Sequence, residues 1–342
     1  MEIRLFRDHL FLPPWYLIIF HKFTSLSLRK LFDVRGMQAI QSLGSLLRLF
    51  AYLALAQGVT LYFLQLIGGY PISAYSNIAD LQNLPNLFRP FVISDMIGKI
   101  FGFILLPLLY LVVSKQKDAN PFKQDLKIPF TGLSILLGVS ALILSLPAIT
   151  VIAEINKNIH LPEAFKNIEN AIRKTEELAE ALTSLFININ SLSDFLLSIL
   201  ALSIIPAIGE EIIFRGFFQR ELIQQTKNVH LSVWIAACVF SFIHFQFLGF
   251  FPRMILGALL GYMYVWSGSL LVPILMHFTN NALTLILLVA YRKEYISFDP
   301  ESSKEIPYIV VLLTCSACIG ILYNRKKTYD IQMSSYIQNT HE

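Results

Sequence analysis

The chain has 342 residues, 55% of them hydrophobic and 15% charged, with 27 Phe, a mean hydropathy of +0.59 and a formal net charge of +4. Soluble domains carry about a quarter charged residues, so these figures exclude an ordinary soluble protein and imply an integral membrane protein. The small positive balance follows the loops between apolar segments, and no nucleic-acid partner is expected from it.

Residues 1–45 read as an N-terminal interfacial arm. The apolar stretch near Tyr16–Phe20 is brief, broken by Pro13 and Pro14, and lacks a small-residue cleavage site, so it does not read as a signal peptide. Eight apolar segments then match the hydrocarbon thickness: 46–68, 92–114, 130–152, 193–218, 230–249, 252–267, 270–291 and 306–323, the sixth being short. The fold class expected is an all-α, polytopic transmembrane helix bundle of about eight spans. Residues 46–152 hold the first three spans, 192–291 the core that carries the polar motifs, and 292–342 the last span and a tail.

Between the third and fourth spans, residues 153–191 are polar and acidic. Leu161, Phe165, Ile168, Ile172, Thr175, Ala179, Leu182 and Phe186 recur there at steps of four and three. This predicts an amphipathic helix begun by Pro162, supported by Glu169 paired with Arg173, and packed onto its own domain. Lys and Arg concentrate in residues 1–48, in 115–128 and at Arg325–Lys327, whereas the loop 69–91 has only Arg89. Both termini are therefore expected in the cytoplasm, with the 153–191 helix outside it; Arg292, Lys293 and Lys304 go against the pattern. Cys315 and Cys318 form a lone C-x-x-C within an apolar helix, read as small core residues.

Ionisable groups at membrane depth disfavour insertion by roughly 2.5–3.5 kcal/mol each, so those present are expected to face inward and to serve a function. Asp95 and Lys99 lie one turn apart near the outer end of the second span, as a self-neutralising pair. Three further sets are Glu210-Glu211-x-x-x-Arg215, Phe240-x-x-x-His244 and His277-x-x-x-Asn281. Glu211 is placed to pair with Arg215, and Glu210 points about 100° away from it. Phe240 shares a face with His244, as does His277 with Asn281.

The fourth and fifth spans form a hairpin about Lys227 and Asn228. Glu210 and His244 lie equally far from it, roughly 25 Å along each helix, and so at one level. His277 is about 12 Å past the turn at 267–269. It meets the others if the polar stretch "QRELIQQTKN" carries the fourth and fifth helices beyond the bilayer, which puts the site in the cytoplasmic half.

A carboxylate, two imidazoles and an amide suffice to hydrolyse an acyl bond without a protein nucleophile. Glu and His deprotonate water, while His and Asn donors hold the oxyanion. Alternatively, Glu210, His244 and His277 are acceptable zinc ligands that leave one position for water. A non-catalytic membrane scaffold, or a transporter relaying protons through Glu210 and His244, also stays open.

The ordered set Glu210-Glu211-x-x-x-Arg215-Gly216, Phe240-x-x-x-His244 and His277-x-x-x-Asn281, each in an apolar span, resembles the CAAX-protease and bacteriocin-processing (CPBP, or ABI) family of intramembrane proteases, which includes type II CAAX prenyl endopeptidases. The likeness covers about residues 193–291. It implies an endopeptidase acting on a membrane-associated or lipidated peptide or protein in the bilayer; the location expected, as part of the topology reading, is the bacterial inner (plasma) membrane. It further implies that Glu210 with His244 activates water, that His277 and Asn281 stabilise the oxyanion, and that Glu211 and Arg215 organise their surroundings. Both zinc-dependent and metal-independent chemistry are compatible with the motif letters. The H-E-x-x-H, G-x-S-G and G-x-G-D signatures of other intramembrane proteases are missing, and "WSGSL" at 266–270 reads as a connection.

Overall fold

The computed structural model describes residues 34–69, 87–113, 131–187 and 189–340. Most of the interfacial arm, the loop 70–86 and the Lys-rich stretch 115–128 lie outside the described residues. The chain divides into two units, Met1–Leu47 and Arg48–Glu342; what is described of the first is a helical run from Val34.

All regular structure among the described residues is helical. Helix α1 is Val34–Gly68. Helix α2 comprises Phe88–Lys99, a π-helical turn Ile100–Leu105 and Leu106–Val113. Helix α3 is Gly132–Lys157, and α4, after a short 3-10 turn at Glu163–Phe165, is Lys166–Phe186. Helix α5 runs from Leu192 to Thr226 through two π-helical segments, Leu200–Ile204 and Ile212–Gln219. Then follow α6 (Val229–Phe242), α7 (Phe250–Ser267), α8 (Leu271–Arg292) and α9 (Tyr308–Thr340).

Seven of these helices are long and apolar enough to cross a membrane, and the protein is a multi-pass membrane protein. The eight-span expectation needs one correction. The fifth apolar segment, expected over 230–249, is helical only over the 14 residues Val229–Phe242, about 21 Å long. Its remainder turns back at 243–249, because Phe245 adopts a left-handed φ of 53° that ends the helix. The sixth segment, taken as short, is the adequate one at Phe247–Ser267.

Local chemistry places the helix ends. Ser191 caps α5 by accepting from the Asp194 amide (3.2 Å), and Arg89 Nε reaches Asp194 Oδ1 at 3.1 Å. Lys227, in the left-handed region, stops α5, and Asn228 starts α6 by accepting from the Leu231 amide (3.0 Å). The hairpin is thus centred where the sequence put it. Its polar stretch is packed, however: Gln219, Arg220 and Leu222 are buried, and Glu221 pairs with Arg48 at 2.6 Å.

Helix α3 packs against α7, α8 and α9, and the largest core cluster joins Leu142 of α3 with Val233, Ala237, Ala258, Met263, Val272 and Met276. Helices α1 and α2 approach closely at Gly102, where a Cβ would lie 2.9 Å from both the Ala56 Cα and the Tyr52 carbonyl oxygen.

The amphipathic helix forms and packs on its own domain, but its seam needs correction at the N-terminal half. In the C-terminal half the seam residue Leu182 packs with Leu64, Leu87 and Phe91 and Phe186 is buried, joined by Leu178 and Leu185, which the expected seam did not include. Phe165, Ile168 and Thr175 are exposed instead. The buried position there is Glu169, whose carboxylate takes hydrogen bonds from His160, Arg173 and the Leu161 amide. Satisfying that carboxylate turns the neighbouring apolar side chains outward.

Candidate active site

Helix α5 carries two carboxylates into the protein interior, and its irregularities determine how they are held. The π turn shifts the Ile205 amide to the Leu200 carbonyl, and Pro206 has no amide hydrogen to give. The carbonyls of Ala201 and Leu202 are taken by side chains from other helices: Lys99 Nζ reaches Ala201 O at 3.4 Å, and Asn281 Nδ2 reaches Leu202 O at 3.0 Å. Asn281 is therefore a bridge between α8 and the proline-broken turn of α5. Asn280 in turn donates to Asn281 Oδ1 at 3.1 Å.

Glu211 is fully buried. Its Oε1 accepts from Arg215 Nη1 at 2.7 Å and from His277 Nδ1 at 2.8 Å. Arg215, 2% exposed, also donates through Nη2 to the Gly257 carbonyl (2.9 Å), with its guanidinium 4.9 Å from the Phe240 ring centroid. One turn on, Gln219 Nε2 repeats the contact to Gly261 O at 3.0 Å. The i,i+4 ion pair expected from the sequence is present, and it joins α5, α7 and α8.

Glu210 points elsewhere. It lines a cavity of about 160 Å³ together with His244 and Lys99, walled by Leu53, Phe103, Ile213, Phe214 and Ile243. Its Oε2 is 3.9 Å from His277 Nε2. His244 lies just beyond the end of α6, and its Nδ1 donates to the Phe240 carbonyl at 2.7 Å. The shared helical face expected for Phe240 and His244 is replaced by this turn, yet their ring centroids are 5.0 Å apart. The same buried Phe240 ring is 6.1 Å from that of His277. One aromatic side chain thus packs against both imidazoles.

The structure brings Glu210, Glu211, Arg215, Phe240, His244 and His277 into one connected cluster, with Asn281 tied to the neighbouring turn of α5. Among the described residues no group of three or more His, Cys, Asp or Glu side chains is placed to hold a metal ion. The C-x-x-C likewise forms none: Cys318 is buried, with Sγ 3.4 Å from the Ala141 carbonyl.

Sequence reasoning missed the part that four residues play here. Lys99 forms the expected pair with Asp95 at 2.7 Å, and it also lines the cavity with Glu210. Gln219, four residues after Arg215, and the pair Gly257 and Gly261 carried a signal in their matched spacing of four. A Cβ at Gly261 would meet Gln219 Oε1 at 2.7 Å.

Residues 192–283 match the family model described as type II CAAX prenyl endopeptidase Rce1-like. An uncharacterized protein of Bacillus subtilis (strain 168), YpbD, is 34% identical over 88 residues, which cover 25% of this chain and 42% of YpbD. The chain thus spans less than half the length of that relative. No solved structure gives a significant match. The segment that supplies Glu210, Glu211, Arg215, His244, His277 and Asn281 is the part of the chain that is similar to the Rce1-like type II CAAX prenyl endopeptidases.

Proposed function

We propose that this protein is an intramembrane endopeptidase that hydrolyses a peptide bond of a membrane-associated or lipidated substrate. The observation that carries the reading is the placing of the Glu210 carboxylate and the His244 imidazole in one cavity, which Lys99 also lines and whose other walls are apolar. With Nδ1 donating to the Phe240 carbonyl, His244 has Nε2 left as its second ring nitrogen, a proton acceptor in the neutral ring. A water donating to both acceptors presents its lone pair to a substrate carbonyl, and Glu210 or His244 removes its proton as the tetrahedral intermediate forms. The same group then returns the proton to the leaving amine.

His277 serves the oxyanion from the other side. Glu211 accepts from Nδ1, so Nε2 donates to the oxyanion when the ring also carries a proton there. Arg215 offsets the charge of Glu211 and keeps it in place. Because no three ligating side chains converge among the described residues, the proposed steps use protein groups and water alone. The match to prenyl endopeptidases supports a lipidated substrate, and the apolar cavity walls support one presented from within the bilayer. The proposed location is the bacterial inner membrane with both termini cytoplasmic.

The test compares membrane peptides from cells carrying wild type with those from cells carrying Glu210→Ala. A set of peptides ending at a common site should vanish in the variant. Identical peptide profiles from the two strains would overturn the proposal.

A further inference from the structure

The turn bearing His244 poses a physical problem. Helix α6 stops at Phe242, and residues 243–249 reverse direction at the margin of the buried core before α7 begins. Irregular backbone surrounded by apolar helices is tolerated only where other protein groups take its donors and acceptors. Ser241 Oγ donates to the Phe250 carbonyl at 2.7 Å, and Arg253 Nη1 donates to that of Gln246 at 3.3 Å, both from the flanking helices.

Besides local backbone bonds such as that from the Phe245 amide to the Phe242 carbonyl, further partners come from far away in sequence. Asn156, near the end of α3 and only 4% exposed, donates Nδ2 to the Phe247 carbonyl at 2.9 Å and accepts at Oδ1 from the Phe251 amide at 3.1 Å. Glu176 of α4 accepts from the Leu248 amide at 2.8 Å. A carboxamide offers the same donor and acceptor as a peptide group, so one side chain closes both positions and caps the first turn of α7.

Strain makes this hold consequential. Phe245, the residue after His244, has φ 53°, a conformation that disfavours a non-glycine residue by about 1–2 kcal/mol. Its side chain is 55% exposed, so burial of the ring does not fix it.

We infer that Asn156 is a positioning residue for His244: from outside the family-matched segment it locks the 243–249 turn so that the imidazole is presented to the Glu210 cavity, with Glu176 as a second brace on the same turn. The catalytic part of this inference rests on the role proposed for His244. It also gives α3 and α4 a task in the chemistry, although neither contributes a group to the cavity.

The experiment uses the full chain purified in lipid vesicles, histidine-labelled with nitrogen-15, with the His244 signal assigned from His244→Gln. Asn156→Ala should shift that signal and lower kcat about 10- to 100-fold with KM changed little, the size expected for a misplaced catalytic group. Asn156→Asp should resemble Asn156→Ala at neutral pH, where a carboxylate cannot donate to the Phe247 carbonyl. Its rate relative to wild type should rise as pH falls and the acid regains a proton to donate. If Asn156→Ala fails to fold, Glu176→Ala should show the same His244 shift to a lesser degree, reversed in Glu176→Gln, which keeps an acceptor oxygen.

An unchanged His244 signal in folded Asn156→Ala, or Asn156→Asp as active as wild type at neutral pH, would overturn the inference. Wild-type protein that cleaves nothing would instead count against the proposed function, while the His244 signal would still decide whether Asn156 positions the ring.

Discussion

Pro206 and Asn281 should be thermodynamically coupled. Asn281→Ala removes the donor at 3.0 Å from the Leu202 carbonyl, and Pro206 supplies no amide hydrogen to replace it. An unpaired carbonyl is unfavourable by about 1–3 kcal/mol, and measured hydrogen bonds between membrane helices average about 0.6 kcal/mol, so a loss of about 1 kcal/mol is expected. Pro206→Ala restores a backbone donor to the helix. In that background Asn281→Ala should be nearly neutral, giving a coupling energy of about 1 kcal/mol. Reversible unfolding in mixed micelles, followed by tryptophan fluorescence, measures all four corners of the cycle. An equal loss from Asn281→Ala in both backgrounds would refute the argument. Activity adds a second readout: if Asn281 also directs its other amide hydrogen at the oxyanion, the doubly substituted protein should be stable yet impaired in cleavage.

Arg215→Met should destabilise the fold by about 3–5 kcal/mol, because it leaves the Glu211 carboxylate buried with only His277 as a partner; the same micelle assay reads the loss. Glu169 is held down to about 2 by the hydrogen bonds from His160 and Arg173, helped by that from the Leu161 amide. Its folded value lies below the ordinary 4.5, so its stabilisation is present above pH 4.5 and lost as pH falls toward 2. Proteolysis of the 158–166 connection across that range should accelerate in wild type and change less in Glu169→Gln. Purified protein should contain no stoichiometric zinc and keep its activity after chelation. Near one zinc per chain, lost in His277→Ala, would restore the metal reading.

The sequence made legible whatever depends on period and spacing. The hydrophobic runs located the membrane-crossing helices to within a few residues at most ends, and the Glu211–Arg215 pair followed from a separation of four on one helix. Turn strain was not legible: nothing in "FSFIHFQF" announces that Phe245 goes left-handed and ends α6 early, since the turn is held through Phe247 and Leu248 by Asn156 and Glu176, far away in sequence. The bridge from Asn281 to α5 was not legible either, although Pro206 supplied a clue, because a proline within an apolar helix frees a carbonyl that some donor must meet. The outward turn of Phe165 and Ile168 shows the same limit, since one carboxylate with three hydrogen-bond donors overrides a regular apolar seam.

The central claim is that Glu210 and His244 jointly activate water in a shared cavity. It is tested most directly by the rate at which purified, folded Glu210→Ala and His244→Ala proteins cleave a membrane peptide that wild type cuts. Each substitution should lower kcat by roughly 10²–10⁴-fold, the usual contribution of a general base, with the helical signature unchanged. Cleavage by both variants at the wild-type rate would contradict the claim.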